Sequence, residues 1–192
     1  MGNLEGSEGS GRRTTEDNGG EVEMRDGGCI LVPAGDLARV ELPSRHVPGE
    51  FWESRERFKV SDDFREGIVR VAEIVECGQE FGPYEKFSIK REWRGVDLLR
   101  AMPTGALGAT EFCARFSQEV EKYLGGQSTA LARGWNTANA ALVLGAGREC
   151  FVVFLVVDDT DGTLRVFTSS LVSKWMAGIT FFSSEAEPQQ NH

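Results

Sequence analysis

The chain has only two histidines, His46 and His192, and four cysteines, Cys29, Cys77, Cys113 and Cys150, no two of them close in sequence. That scarcity removes the paired Cys and His spacings from which zinc ribbons and CxxC redox motifs are built. The longest apolar stretch, Cys150 to Val157, is far too short to span a bilayer, and the polar N-terminus carries no positive-then-apolar leader. A soluble cytoplasmic or nuclear protein with reduced, mostly buried thiols is the expectation. Positive charge is also short, since 21 Lys and Arg against 30 Asp and Glu leave a net charge of −9. Residues 1–28 account for −4 and residues 185–192 for −2, which leaves −3 for residues 29–184. Acidity concentrated in the tails disfavours indiscriminate binding to nucleic acid or anionic membrane, so membrane contact is not expected.

What is present fits one globular unit. At 192 residues, 40% hydrophobic and 27% charged, the chain can bury a sizeable core. Residues 1–28, dominated by Gly, Ser, Glu, Asp and Asn, lack an apolar set to offset the entropy of ordering and read as a disordered arm. Residues 29–184 read as a single domain and 185–192 as a polar tail. Gly2 raises the question of acylation, but Gly6 stands where the usual pattern has Ser or Thr.

Within the domain, Cys29 to Val32 and Leu37 to Leu42 read as short strands separated by Pro33 and Gly35, with an irregular connector imposed by Pro43 and Pro48. Phe51, Trp52 and Phe58 supply core surface. Ser61 caps an expected helix over 62–76, whose Phe64, Ile68, Val71, Ala72 and Val75 share one face; its Ile and Val content would also suit a strand. Phe112, Phe116, Val120 and Leu124 recur at steps of four before Gly125-Gly126 and predict a helix over 109–124. Leu131, Trp135, Ala138 and Leu142, after Ser128, predict a second helix paired antiparallel with it. Leu171 to Met176 reads as a last helical turn. The order β, α, β, α, α, β, β predicts an α+β fold with a small, mainly antiparallel sheet packed against about three helices.

The sharpest chemical motif is Asp159-x-Asp161-Gly162-Thr163-Leu164, which follows the apolar run Phe151 to Val157. It resembles the first motif of haloacid dehalogenase-like phosphatases. The resemblance implies Asp159 as nucleophile, Asp161 as acid and base, and Mg²⁺ to offset the gathered charge. The family's hydroxyl residue, lysine and later acidic pair, carried on parallel strands, have no match in residues 165–192. The same letters fit a β-hairpin better, because Asp, Thr and Gly between two β-rich runs tolerate the angles of a tight turn. A calcium loop is excluded by Val157 and Thr168 at ligand positions, and a dinucleotide loop at Gly145 and Gly147 by Cys150 in place of its third glycine. A Cys150 nucleophile activated by His46 has no sequence support.

Lys86, Phe87, Lys90, Arg91, Trp93 and Arg94 form the chain's best nucleic-acid candidate, since cations meet phosphates while rings stack on bases. Glu85, Glu92 and Asp97 dilute it, and a strand with a solvated charged face is the simpler reading. With no cofactor, metal cluster or catalytic set expected, the leading expectation is a non-enzymatic interaction or assembly protein, self-association included. RNA or single-stranded nucleic-acid binding through 86–94 and a Mg-dependent phosphatase-like hydrolase using 159–164 are the alternatives.

Overall fold

Two strands carry apolar side chains to both of their faces, and the rest of the chain is arranged to cover them. In Cys150–Asp158, Val153, Leu155 and Val157 join one buried cluster while Val152 and Phe154 join another. In Ala138–Leu144, Ala141 and Val143 part from Ala140 and Leu142 in the same way. Successive strand residues point to opposite faces, so the sheet separates two cores.

The computed structural model describes residues 22–23, 30–102, 106–133, 137–158 and 160–184. In chain order the elements are β1 (Val22–Glu23), β2 (Ile30–Leu37), β3 (Val40–Glu41), α1 (Pro48–Glu53), β4 (Phe58–Val60) and α2 (Asp62–Gly67). Then come β5 (Glu80–Phe81), β6 (Tyr84–Ile89), β7 (Trp93–Arg94), α3 (Gly95–Ala101), β8 (Leu107–Gly108) and α4 (Ala109–Leu124). The series closes with β9 (Ala138–Leu144), β10 (Cys150–Asp158), β11 (Thr163–Ser169), β12 (Lys174–Trp175) and β13 (Thr180–Ser184). Among the described residues the main sheet has nine strands, in the order β1-β2-β6-β13-β9-β10-β11-β4 with β8 beside β9. β13–β9, β8–β9 and β11–β4 are parallel and the remaining pairs antiparallel. The fold is therefore α+β, but its sheet is larger than expected and mixed.

One face is covered by α1, α2 and α4. Trp52 on α1 meets Phe64 and Phe112 at ring separations of 5.7 and 6.4 Å, and Phe116 packs edge-on to Phe182 of β13 at 5.3 Å. Burying a ring such as Phe64 or Phe112 contributes about 1.5–3 kcal/mol. The other face is covered by α3 and by a two-stranded ribbon of β7 and β12, in which Trp93 pairs with Trp175 and Arg94 with Lys174. Trp175 lies 4.2 Å from the Phe154 ring.

The expected hairpin and the helix over 109–124 are present as β10–β11 and α4. Other expectations require correction. The predicted helix over 62–76 is cut to α2 and a 3₁₀ turn at Val69–Val71, after which Val75 bridges His46. Ser61 does cap it, accepting from Phe64 N at 3.2 Å. In place of the second predicted helix, the described residues 128–133 are non-helical and Ala138–Leu144 form strand β9, buried from Asn139 to Val143, so no helix pair forms among the described residues; Trp135 lies outside them. Pro33 and Gly35 do not break β2 but sit at a bulge within it. Pro48, expected in an irregular connector, opens α1, where its fixed φ and missing N–H cost nothing. Residues 171–176 form a turn and β12, not a helical turn. Val22–Glu23, expected in the disordered arm, pair with Ile30–Leu31; the rest of residues 1–28 lies outside the described residues.

Candidate functional site

Where β10 begins and β11 ends, three separate segments close around a cleft of about 920 Å³. α2 contributes Asp63, Glu66 and Gly67; the residues entering β10 contribute Glu149, Cys150 and Phe151; the end of β11 and its following turn contribute hydroxyls and Leu171. Close backbone approach makes this possible. A Cβ on Gly145 would stand 2.2 Å from the Gly67 carbonyl oxygen and 2.9 Å from the Phe151 ring, so only glycine lets α2 settle against the strand.

The cleft's charge is one-sided. Asp63, Glu66 and Glu149 line it, and among its described lining residues there is neither Lys nor Arg. Glu66 is paired with Arg70 one turn along, while Asp63 and Glu149 have no ion-pair partner among the described residues. Phe151 and Leu171 add half-buried apolar surface. Burial pushes the Cys150 thiol up from its ordinary value, which keeps it protonated and poorly nucleophilic at neutral pH. Cys77 and Cys113 are also free thiols, the first exposed and the second buried.

His46 is not near Cys150: it lines a different, 260 Å³ cavity beside α1 and α4. Its Nδ1 is 3.4 Å from Ser117 Oγ, and that hydroxyl already donates to the Ala114 carbonyl at 2.7 Å. Burial holds the imidazole below its usual range. A serine so buried and already committed to its own helix is a packing element, not an activated nucleophile. Nothing in the local sequence pairs residues 46 and 117, so this contact was not legible there.

The acidic turn after β10 is built as a hairpin. Asp158 Oδ1 accepts from Thr160 N at 3.0 Å, Asp161 Oδ1 accepts from Thr163 N at 2.8 Å, and Gly162 takes φ +65°. Hydrogen bonds from Thr163 hold the exposed Asp161 carboxyl below its ordinary value. Both neighbours of β10 are antiparallel, unlike the parallel sheet that the phosphatase resemblance implies. Asp159 lies outside the described residues. No group of three or more His, Cys, Asp or Glu among the described residues could hold a metal ion.

The basic-aromatic residues are dispersed. Phe87 and Trp93 are core side chains, 8% and 1% exposed, and the Trp93 indole donates to the Met176 carbonyl at 3.3 Å. Lys86 lies on the opposite face of β6 from Phe87 and donates to the Ala130 carbonyl at 3.1 Å. Lys90, Arg91 and Arg94 are exposed. The two rings of the predicted patch are thus withdrawn into the core, away from the cations that were to share a strand of nucleic acid with them.

A buried network that the sequence did not suggest fixes the loop after α4. Glu119 accepts from Arg115 and Lys122, each at 2.8 Å, and from Thr129 Oγ1 and Ala130 N at 2.9 and 2.8 Å. Burial opposes its ionisation, but these donors outweigh that and hold the carboxyl down at about 2. Compared with known proteins, the chain matches no family model, no curated protein and no solved structure.

Proposed function

We propose that the chain is a non-enzymatic interaction protein whose acid-rimmed cleft receives a cationic, partly apolar segment of a protein partner. The observation that carries this reading is the lining itself: Asp63, Glu66 and Glu149 without a basic residue among the described lining, over Phe151 and Leu171. Two of the three carboxylates have no cation to satisfy them among the described residues, so an incoming Lys or Arg gains Coulomb energy without displacing an existing pair. The apolar surface between them accepts the methylene stems that such residues bring. The groups near the cleft favour binding over catalysis, because its thiol is protonated and its carboxylates share the site with hydroxyls, not with a histidine. No helix among the described residues is long and apolar enough to cross a membrane.

The test is fluorescence anisotropy with a labelled peptide of alternating Lys and Leu, against one of alternating Glu and Leu. The cationic peptide binds, weakens about tenfold or more as salt rises from about 50 to about 500 mM, and is lost in Asp63→Asn/Glu149→Gln. Equal binding of both peptides, or binding indifferent to the double substitution, would overturn the reading.

A further inference from the structure

We propose that the partner is a second copy of this chain, the cleft of each copy receiving the cationic ribbon of the other across a two-fold axis. This rests on the cleft being a receptor for cationic segments. The ribbon of β7 and β12 has two distinct sides. Leu171, Ser173 and Trp175 are half-buried, whereas Val172, Lys174 and Met176 alternate with them and point outward, Val172 and Met176 being 68% and 75% exposed. Arg94 lies opposite Lys174 in the register, and Lys90 is exposed just ahead of it. The outward side is thus aliphatic and positively charged, with Glu92 paired to Lys174 at 2.7 Å.

This surface is held firmly. The Trp93 indole bonds to the Met176 carbonyl, Val96 N donates to the Leu171 carbonyl at 2.9 Å, and Gly178 N donates to the Ile89 carbonyl at 2.9 Å. A Cβ on Gly95 would stand 2.6 Å from Val152 Cγ2 and 2.8 Å from the Leu171 Cα, so the start of α3, directly after β7, is pressed against a sheet side chain and against the backbone that leads into β12. Two aliphatic side chains projecting from a rigid ribbon into solvent are the anchor that an interface needs.

The ribbon's position decides its occupant. Leu171 lines the cleft and also leads into the ribbon's second strand, so acidic and basic surfaces adjoin at one end of the sheet. A polyanion, whether lipid headgroups or nucleic acid, that met Arg94 and Lys90 would also meet Asp63 and Glu149, in a chain of net charge −9. A surface with both signs side by side is instead complementary to itself. Rotation by 180° sets each ribbon on the other copy's cleft, so every favourable pair occurs twice, which is the isologous arrangement of two-fold dimers.

Sedimentation equilibrium of the full chain over a concentration series tests this. The mass rises from 21.1 kDa towards twice that value, and salt shifts the equilibrium towards monomer. Arg94→Glu and Glu149→Lys, both at exposed positions outside the cores, each raise the dimer dissociation constant about tenfold or more, with unchanged circular dichroism. Mixing the two variants in equal amounts restores the dimer, because the lysine introduced at position 149 of one copy then meets the glutamate introduced at position 94 of the other, while the native pair survives across the axis. A dimer indifferent to both substitutions, or no recovery on mixing, overturns the arrangement. A chain that stays monomeric yet binds the Lys-Leu peptide overturns self-recognition and leaves the cleft's reading standing, whereas failure of both ends both. A monomer that binds single-stranded RNA or anionic vesicles through Arg94 shows that the ribbon serves a polyanion and likewise overturns the dimer.

Discussion

Replacing Glu119 with Gln leaves Arg115, 3% exposed, as a buried cation without its counter-charge. Its Nε already lacks a partner, so little local slack is available to re-pair it. Breaking a buried ion pair from one side costs about 3–5 kcal/mol. A second route gives a similar figure: the Glu119 carboxyl titrates at about 2 in the folded chain against an ordinary 4.5, and that gap corresponds to about 3 kcal/mol. Because the folded value is depressed, this stability is fully present above about pH 4.5 and is lost as pH falls from there through 2. Urea unfolding followed by circular dichroism at pH 7 reads it directly. With a slope of about 2 kcal/mol per molar, the midpoint of Glu119→Gln falls by about 1.5 M at unchanged slope. At pH 3 the wild type has itself given up more than half of the increment, so the gap between the two proteins narrows correspondingly. Glu121→Gln is the control, since the Arg55–Glu121 pair is largely solvated and its loss changes stability by about 1 kcal/mol at most. A Glu119→Gln cost below about 1 kcal/mol at pH 7, or a gap that stays constant down to pH 3, refutes the assignment of that network as the clamp on the loop after α4.

Gly145→Ala drives a methyl group into the Gly67 carbonyl and the Phe151 ring, so it lowers thermal stability by about 2–3 kcal/mol and weakens cationic-peptide binding together with it; an unchanged melting temperature would mean that α2 does not seat on this strand. Trp93→Ala destabilises by about 3–5 kcal/mol in urea, as removal of a fully buried ring should, whereas Lys90→Ala stays within about 0.5 kcal/mol; a stable Trp93→Ala protein would place the ring outside the core. Of the three described cysteines, iodoacetamide at neutral pH, read by peptide mass, labels the exposed Cys77 first, Cys150 several-fold more slowly because burial raises its thiol, and Cys113 only on unfolding; early labelling of Cys113 would contradict its buried position on α4.

The sequence exposes those elements that carry a local signal of their own. α4 repeats its apolar residues at steps of four between polar ones, although Phe112 to Val120 are all buried, and the β10–β11 hairpin announces itself through its turn chemistry, so both are readable from local pattern alone. β9 has no wet face. Its Asn139 to Val143 are buried on both sides of a central strand, which erases the period of two, while Leu131, Ala138 and Leu142 fall by coincidence at helical spacing. Asn139, a poor strand former, is tolerated there because its amide bonds the backbone of Ala132 and Leu155. The same limit applies to the site. Asp63, Glu149 and Leu171 each look like ordinary surface or linker residues in one dimension, and their chemistry arises only when α2, the entry to β10 and the exit from β11 converge. Convergence in turn depends on glycines whose role is steric: Gly145 admits the α2 carbonyl and Gly95 brings the start of α3 onto Leu171. A cleft made by backbone proximity, with charges contributed singly by distant segments, leaves no contiguous motif, and that is why the surface most suited to binding was the part of this chain least visible in its sequence.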